Sequence, residues 1–210
     1  MSGWFWLAAT FLLWALFHSI TAARPVKQWA QRVLGERAYA GFYRLVYNAV
    51  AVLTFLPVLY VLATRVPSTV IWPVPFPWAL LFLAMQAAGL LGLVITLLYT
   101  DAWSFLGLRQ LWRYLRGEPD PDPPGAFVVA GPYAFVRHPL YLFSMLVIWF
   151  PPVLTLNLLV FNLLATLYFW LGSLHEERRL MAEFGDAYRQ YQRTVPPFLP
   201  WPRPGARFSR

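Results

Sequence analysis

Two polar clusters, GPYAFVRHPLY (residues 131–141) and HEERRLMAEFGDAYRQYQRTVPP (residues 175–197), bracket a run, residues 139–174, without a single Lys, Arg, Asp or Glu. As helix, at about 1.5 Å rise per residue, the run would extend roughly 54 Å. The hydrocarbon core of a bilayer is only about 30 Å thick. One pass overshoots; two passes fit, with the turn between Pro151-Pro152 and Asn157. Such a helical hairpin returns the chain to the face it left, so Arg137-His138 and Glu176-Glu177 are expected to meet at one membrane boundary.

Working outward, the whole chain has the same character. Of 210 residues, 59% are hydrophobic and 12% charged, which excludes a disordered chain and an ordinary soluble domain. Eleven Trp, eleven Tyr and seventeen Phe suit aromatic belts at two interfaces. The absence of Cys excludes disulfides, thiolate nucleophiles and iron–sulfur ligation. Three further apolar segments, Gly3–Ala22, about Phe42–Thr64 and about Phe76–Tyr99, read as spans. The first has no Lys or Arg before it and four basic residues soon after it, the reverse of a secretory signal.

The expected architecture is therefore an all-α integral membrane protein with five transmembrane helices, the last two forming the C-terminal hairpin. It is read as a single domain, 1–210, with three spans in 1–100 and the chemistry-bearing part in 101–200. Sixteen of the seventeen basic residues fall on one side of this arrangement and Arg65 on the other. That positive-inside bias puts the N-terminus outside and the C-terminus in the cytoplasm. It also accounts for the net charge of +8 without nucleic acid, for which no basic groove interleaved with aromatics is present. Ser104–Arg116 reads as an interfacial helix, with Leu108, Leu111, Trp112 and Leu115 on one side and three Arg on another. Leu180, Phe184, Tyr188, Tyr191 and Val195, spaced by three and four, predict a second amphipathic helix. Gly117–Gly125, rich in Pro, reads as a loop and Trp201 onward as a frayed tail.

Each polar residue has a plain reading beside the functional one. Arg137-His138-Pro139 opens a helix and suits an interfacial anchor, or an anion and nucleotide site built on free N–H groups. Glu176 and Glu177, followed by Arg178 and Arg179, suit solvated salt-bridge partners; since they point about 100° apart on a helix, at most one faces a given pocket squarely while the other pairs or caps. Tyr133 and Tyr141 suit the aromatic belt or the same site. His18, Arg44, Asn48 and Gln86, polar groups within spans, either bond to one another inside the bundle or line a substrate pocket. Gly89 and Gly92 allow close helix packing. The three His, at 18, 138 and 175, lack metal-ligand spacing, and no Gly-rich or Walker nucleotide motif is present.

Taken together, GPYAFVRHPLY, the hairpin, EERRL, FGDAYRQY and VPPFLP resemble the membrane methyltransferases typified by isoprenylcysteine carboxyl methyltransferase and phospholipid N-methyltransferases. HSITAARPVKQW, YRLVYN and DAWSFLGLRQLW extend the likeness upstream to the methanethiol S-methyltransferase branch and to NnrU-like membrane proteins. The resemblance implies S-adenosylmethionine as cofactor, bound from the cytosol by Gly131, Tyr133, Arg137, His138, Pro139, Tyr141, Glu176, Glu177 and Tyr188. Arg137, His138 and Glu177 would serve catalysis. The acceptor implied is a small hydrophobic thiol reaching the site from the lipid, in a bacterial inner membrane, with no metal. Prenylcysteine carboxyl, phospholipid and isoprenoid acceptors are alternatives, as are an NADPH-dependent membrane reductase and a non-catalytic NnrU-like protein. Two departures stand out: Phe143 replaces a customary Gly, and LGSLH lacks the Arg that precedes the glutamates in the prenylcysteine enzymes.

Overall fold

Helix propensity and uniform apolarity act together in α1 (Gly3–Ala22) and α4 (Trp78–Tyr99), which are apolar on every face, as helices surrounded by lipid are. The computed structural model describes residues 2–118 and 127–200. Most of the 117–125 loop and the tail from Trp201 therefore lie outside the described residues. Between the long helices come α2 (Arg24–Leu34), α3 (Glu36–Thr64), strand β1 (Val70–Pro73), α5 (Ala102–Leu106) and α6 (Leu108–Arg116). A single 3₁₀ turn (Gly131–Ala134), α7 (Pro139–Trp149), strand β2 (Val153–Thr155) and α8 (Leu156–Thr194) follow. Among the described residues four helices, α1, α3, α4 and α8, are long and apolar enough to cross a membrane. The protein is an integral membrane protein, mostly helical.

Three details differ from the sequence reading. A small two-stranded ribbon, β1 with β2, accompanies the helices, and Val74 N–H extends the link to Pro152 O at 2.9 Å. The interfacial helix is two helices, because Gly107 adopts φ 90° and a Cβ there would run into the Leu45 backbone. The expected fourth span is a short helix, α7, whose eleven residues cover only about 16 Å.

The contacts divide the chain into two units that interleave along the sequence: Met1–Thr69, Asp101–Gly125 and Thr155–Leu164; and Val70–Thr100, Ala126–Leu154 and Ala165–Arg210. In the first, Leu7 and Phe11 of α1 and Val58 and Val61 of α3 are buried, and the Trp14 indole donates to Ala51 O at 3.0 Å. In the second, α4 packs on α7 through its two glycines. A Cβ on Gly89 would stand 3.0 Å from Phe143 O, and one on Gly92 would penetrate the Phe143 ring. Phe143 thus fills the notch that Gly92 leaves in α4.

α8 is not straight. Gly185 takes φ 53°, ψ −123°, a conformation open to glycine and costly for residues with a Cβ. Beyond it the chain returns along itself. Glu177 meets Gln192, and Leu180, Met181 and Phe184 pack against Tyr188, Tyr191 and Val195. The amphipathic stripe predicted for a single helix is in fact a cluster closed between two antiparallel arms.

Candidate functional site

All of the cluster lies in the second unit. α7 and the proximal arm of α8 run antiparallel there, as three pairings show: Trp149 Nε1 donates to Thr166 Oγ1 at 2.8 Å, Tyr141 stacks on Phe169 at 5.3 Å, and His138 reaches Glu177. The polar ends of the two helices therefore coincide, although Arg137 and Glu177 are 40 residues apart.

Glu177 is the hub. Its Oε1 accepts from Arg137 Nε at 2.8 Å and pairs with Arg137 Nη2 at 2.6 Å. His138 Nε2 stands 3.0 Å from the same oxygen, and Gln192 Nε2 donates to Oε2 at 2.9 Å. The Arg137 side chain is only 8% exposed and that of Glu177 18%, so the pair gains charge-assisted strength that water does not dilute. Arg137 Nη1 also donates to Gln192 O at 3.1 Å and Val195 O at 2.6 Å. Glu176 is placed differently. Its Oε2 lies 3.6 Å from His138 Nδ1, and its side chain is 38% exposed.

The strap Val195–Phe198 closes the cluster. Arg137 N–H donates to Pro196 O at 2.8 Å and His138 N–H to Pro197 O at 3.0 Å. Prolines bring carbonyls without competing N–H groups, which suits a segment that only accepts. These two N–H groups are therefore bonded within the chain, so the reading of free N–H groups at this helix start, ready for an anion, does not hold for them. Pro139, buried, then opens α7 without an orphan donor.

Aromatic rings form one wall. His138 lies parallel to Tyr141 at 5.6 Å and tilted to Phe198 at 5.5 Å. A Cβ on Gly172 would lie 3.4 Å from the Tyr141 hydroxyl. Gly131, at φ 60°, sets its backbone so near the Tyr99 ring that a Cβ would stand 2.7 Å away; its place is structural. Tyr191 Oη donates to Tyr133 O at 2.6 Å, tying the 3₁₀ turn to the distal arm. Burial, with the negative charge of Glu176 nearby, raises the Tyr133 phenol well above its ordinary pKa. Tyr188 is 1% exposed and sits within the aromatic cluster of the two arms.

The four polar residues of the spans do not form one group. His18 Nε2 and Tyr47 Oη are 2.8 Å apart, with His18 stacked on Trp14 at 5.2 Å. Arg44 Nε and Asn48 Nδ2 both donate to Phe105 O, at 3.0 and 2.9 Å, and so hold α5 against α3. Gln86 belongs to the second unit and donates to Val147 O at 2.9 Å. A groove of about 270 Å³ beside α1 and α3 is lined by Thr10, Leu13, Trp14, Phe17, Thr54 and Pro57, and by none of those four. Sequence reasoning missed Gln192, whose signal was Gly185 as a breaker between two runs of the same stripe, and Phe169, which carries no motif.

The helices and the buried Arg–His–Glu cluster define an integral membrane protein with a preorganised polar site at the end of a helix pair. The NnrU protein family matches residues 6–150, and the chain belongs to that family. Among similar proteins, methanethiol S-methyltransferase 1 of Bradyrhizobium diazoefficiens is 33% identical over 196 residues, covering 91% of this chain and 66% of that one. Methanethiol S-methyltransferase of Mycobacterium tuberculosis is 31% identical over 196 residues, 90% of this chain and 75% of the other. Nurim of Mus musculus is 29% identical over 178 residues, 81% and 64%. The chain thus spans about two thirds to three quarters of the length of these relatives. No solved structure matches it.

Proposed function

We propose that this chain is a single-domain membrane methyltransferase that uses S-adenosylmethionine and methylates a small hydrophobic thiol such as methanethiol. The observation that carries the reading is the difference between the two glutamates: Glu177 is held by Arg137, His138 and Gln192, whereas Glu176, bonded by the Tyr141 hydroxyl and 3.6 Å from His138 Nδ1, keeps its side chain 38% exposed. The names of the similar enzymes support the reaction class and acceptor. In the membrane arrangement proposed here the N-terminus is outside, the C-terminus is cytoplasmic, and α7 with residues 150–155 makes a short fifth pass that completes the hairpin with α8.

The residues fit a cationic, hydroxyl-bearing methyl donor: the partly exposed Glu176 carboxylate, oriented by the Tyr141 hydroxyl, can accept further hydrogen bonds, and Tyr133 supplies a polarisable face. Gly131, Pro139 and Tyr188 shape this site from its frame, Tyr188 through packing. When bound, S-adenosylmethionine supplies an electrophilic methyl on a sulfonium. Arg137 and Glu177 hold His138 in place, with Nε2 toward Glu177 and Nδ1 toward the Glu176 carboxylate. The His138–Glu176 pair takes the thiol proton, since the thiolate is the reactive form. Positioning and exclusion of water then provide most of the acceleration.

Calorimetric titration of the detergent-purified protein with S-adenosylhomocysteine, and headspace detection of dimethyl sulfide from methanethiol, test this. Micromolar binding and product formation, both weakened in folded Glu176→Gln protein, are expected. Folded protein that binds NADPH, or neither nucleotide, would overturn the reading.

A further inference from the structure

Beyond the site, the first unit exposes an apolar and basic surface that the methyl-transfer reading does not use. In α6, Trp112 and Leu115 turn away from protein, 56% and 68% exposed, while Leu108 and Leu111 are half-buried. The Tyr114 edge docks, with its ring at 4.7 Å from Phe42 and against Gly41, where a Cβ would stand 2.7 Å away. α2 follows α1 after one residue and buries Ala30 while leaving Trp29 63% exposed beside Val33.

The net charge around these rings is positive. Residues 23–44 and 101–118 hold eight basic residues against three acidic ones. Asp101 is engaged by Arg109 at 3.1 Å and Glu118 lies 3.9 Å from Arg116. Arg116 stacks over Trp112 at 4.4 Å, and Arg37 over Tyr114 at 5.4 Å. Exposed indoles and leucines adjoining a cationic rim, on helices joined directly to a membrane span, are the features of an interfacial helix that sinks its apolar face below negative headgroups.

We infer that α2, α6 and the start of α3 form a binding surface for anionic phospholipid, with Arg24, Arg32, Arg113 and Arg116 at the headgroup phosphates and Trp29, Trp112 and Leu115 among the upper acyl chains. The surface selects negatively charged lipid from the bilayer that surrounds the spans. Its selectivity is electrostatic and therefore falls with salt.

Full-length protein in phosphatidylcholine nanodiscs, doped with spin-labelled phosphatidylglycerol or spin-labelled phosphatidylcholine, gives the relative association of the two. Phosphatidylglycerol is expected to associate at least about threefold more strongly, with the ratio falling toward unity in high salt and in the Arg24→Gln/Arg32→Gln/Arg113→Gln/Arg116→Gln protein. Arg65→Gln, remote from this surface in sequence, should keep the ratio. Equal association in the unaltered protein, or a salt-insensitive ratio, overturns the inference even if the fourfold variant fails to fold. A ratio abolished by millimolar inorganic phosphate at constant ionic strength also overturns it, because the ligand would then be the free anion.

Discussion

Gln192 donates its side-chain amide to Glu177 at 2.9 Å although the two are 15 residues apart in what is formally one helix. A straight helix would separate them by about 22 Å. The reversal at Gly185 is what allows one carboxylate to be bound from α7 and from the distal arm together.

Gly185→Ala should therefore destabilise the protein by about 1–3 kcal/mol. Nothing lies within 4 Å of a Cβ at this position, so the cost is conformational rather than steric. A thermal melt in detergent should show a midpoint lower by roughly 2–12 °C. An unchanged midpoint would mean the arm does not need the glycine conformation.

Removing Arg137 leaves Glu177 partly buried without its main partner, a loss of about 3–5 kcal/mol in comparable pairs. Arg137→Lys should recover little, because an ammonium cannot reproduce donation to Glu177, Gln192 O and Val195 O at once. A double-mutant cycle of Arg137→Ala with Glu177→Ala should show coupling above about 1 kcal/mol; additive losses would contradict the pairing.

The two glutamates should separate by phenotype. Glu177→Gln is expected to lower the melting midpoint, whereas Glu176→Gln should keep it and weaken S-adenosylhomocysteine at least about tenfold, the loss of one charged hydrogen bond. Melting and calorimetry on both variants decide this. The reverse pattern would exchange their roles.

Phe143→Ala empties the notch at Gly92 and should cost about 3–5 kcal/mol. Gly92→Val overfills the same place at about 1–3 kcal/mol. Combining Gly92→Ala with Phe143→Leu should be less damaging than the sum of the single changes, as measured by thermal midpoints.

The Asp101 carboxyl is held below its ordinary pKa chiefly by the Ser104 hydroxyl, with Arg109 adding its charge. A lowered folded-state pKa gives stability that is present above the unfolded value and lost as pH falls through the folded one. The stability difference between the protein and its Asp101→Asn variant should thus be constant near neutrality and shrink only in acid. Melts from pH 7 down to about pH 3, below the ordinary carboxylate pKa, measure it; a difference that grows in acid would contradict the assignment.

Much of the fold was legible because lipid makes strong local demands. Gly3–Ala22 begins and ends as α1 does, and the third span ends at Tyr99 as read. The Arg137 and Glu177 clusters meet as the length of the uncharged run required. Other features were not legible, since they depend on partners distant in the chain. Arg44 and Asn48 read equally well as pocket residues or as bundle contacts until Phe105 O was found between them. Phe143 read as crowding the site or facing a neighbouring span, and Gly92 decided it.

Apolar length and charge distribution by themselves determined that this chain carries helices long and apolar enough to cross a membrane and that two polar clusters meet, because hydrocarbon excludes unpaired charge and backbone from any one segment independently of the others. Only the tertiary structure decided that the stripe from Leu180 to Val195 folds back on itself, that the prolines of the strap cover Arg137 and His138, and that Glu177 rather than Glu176 receives the Arg137 and Gln192 side chains. Those outcomes follow from which acceptor reaches which donor first in three dimensions, and adjacent glutamates are chemically identical until that geometry distinguishes them.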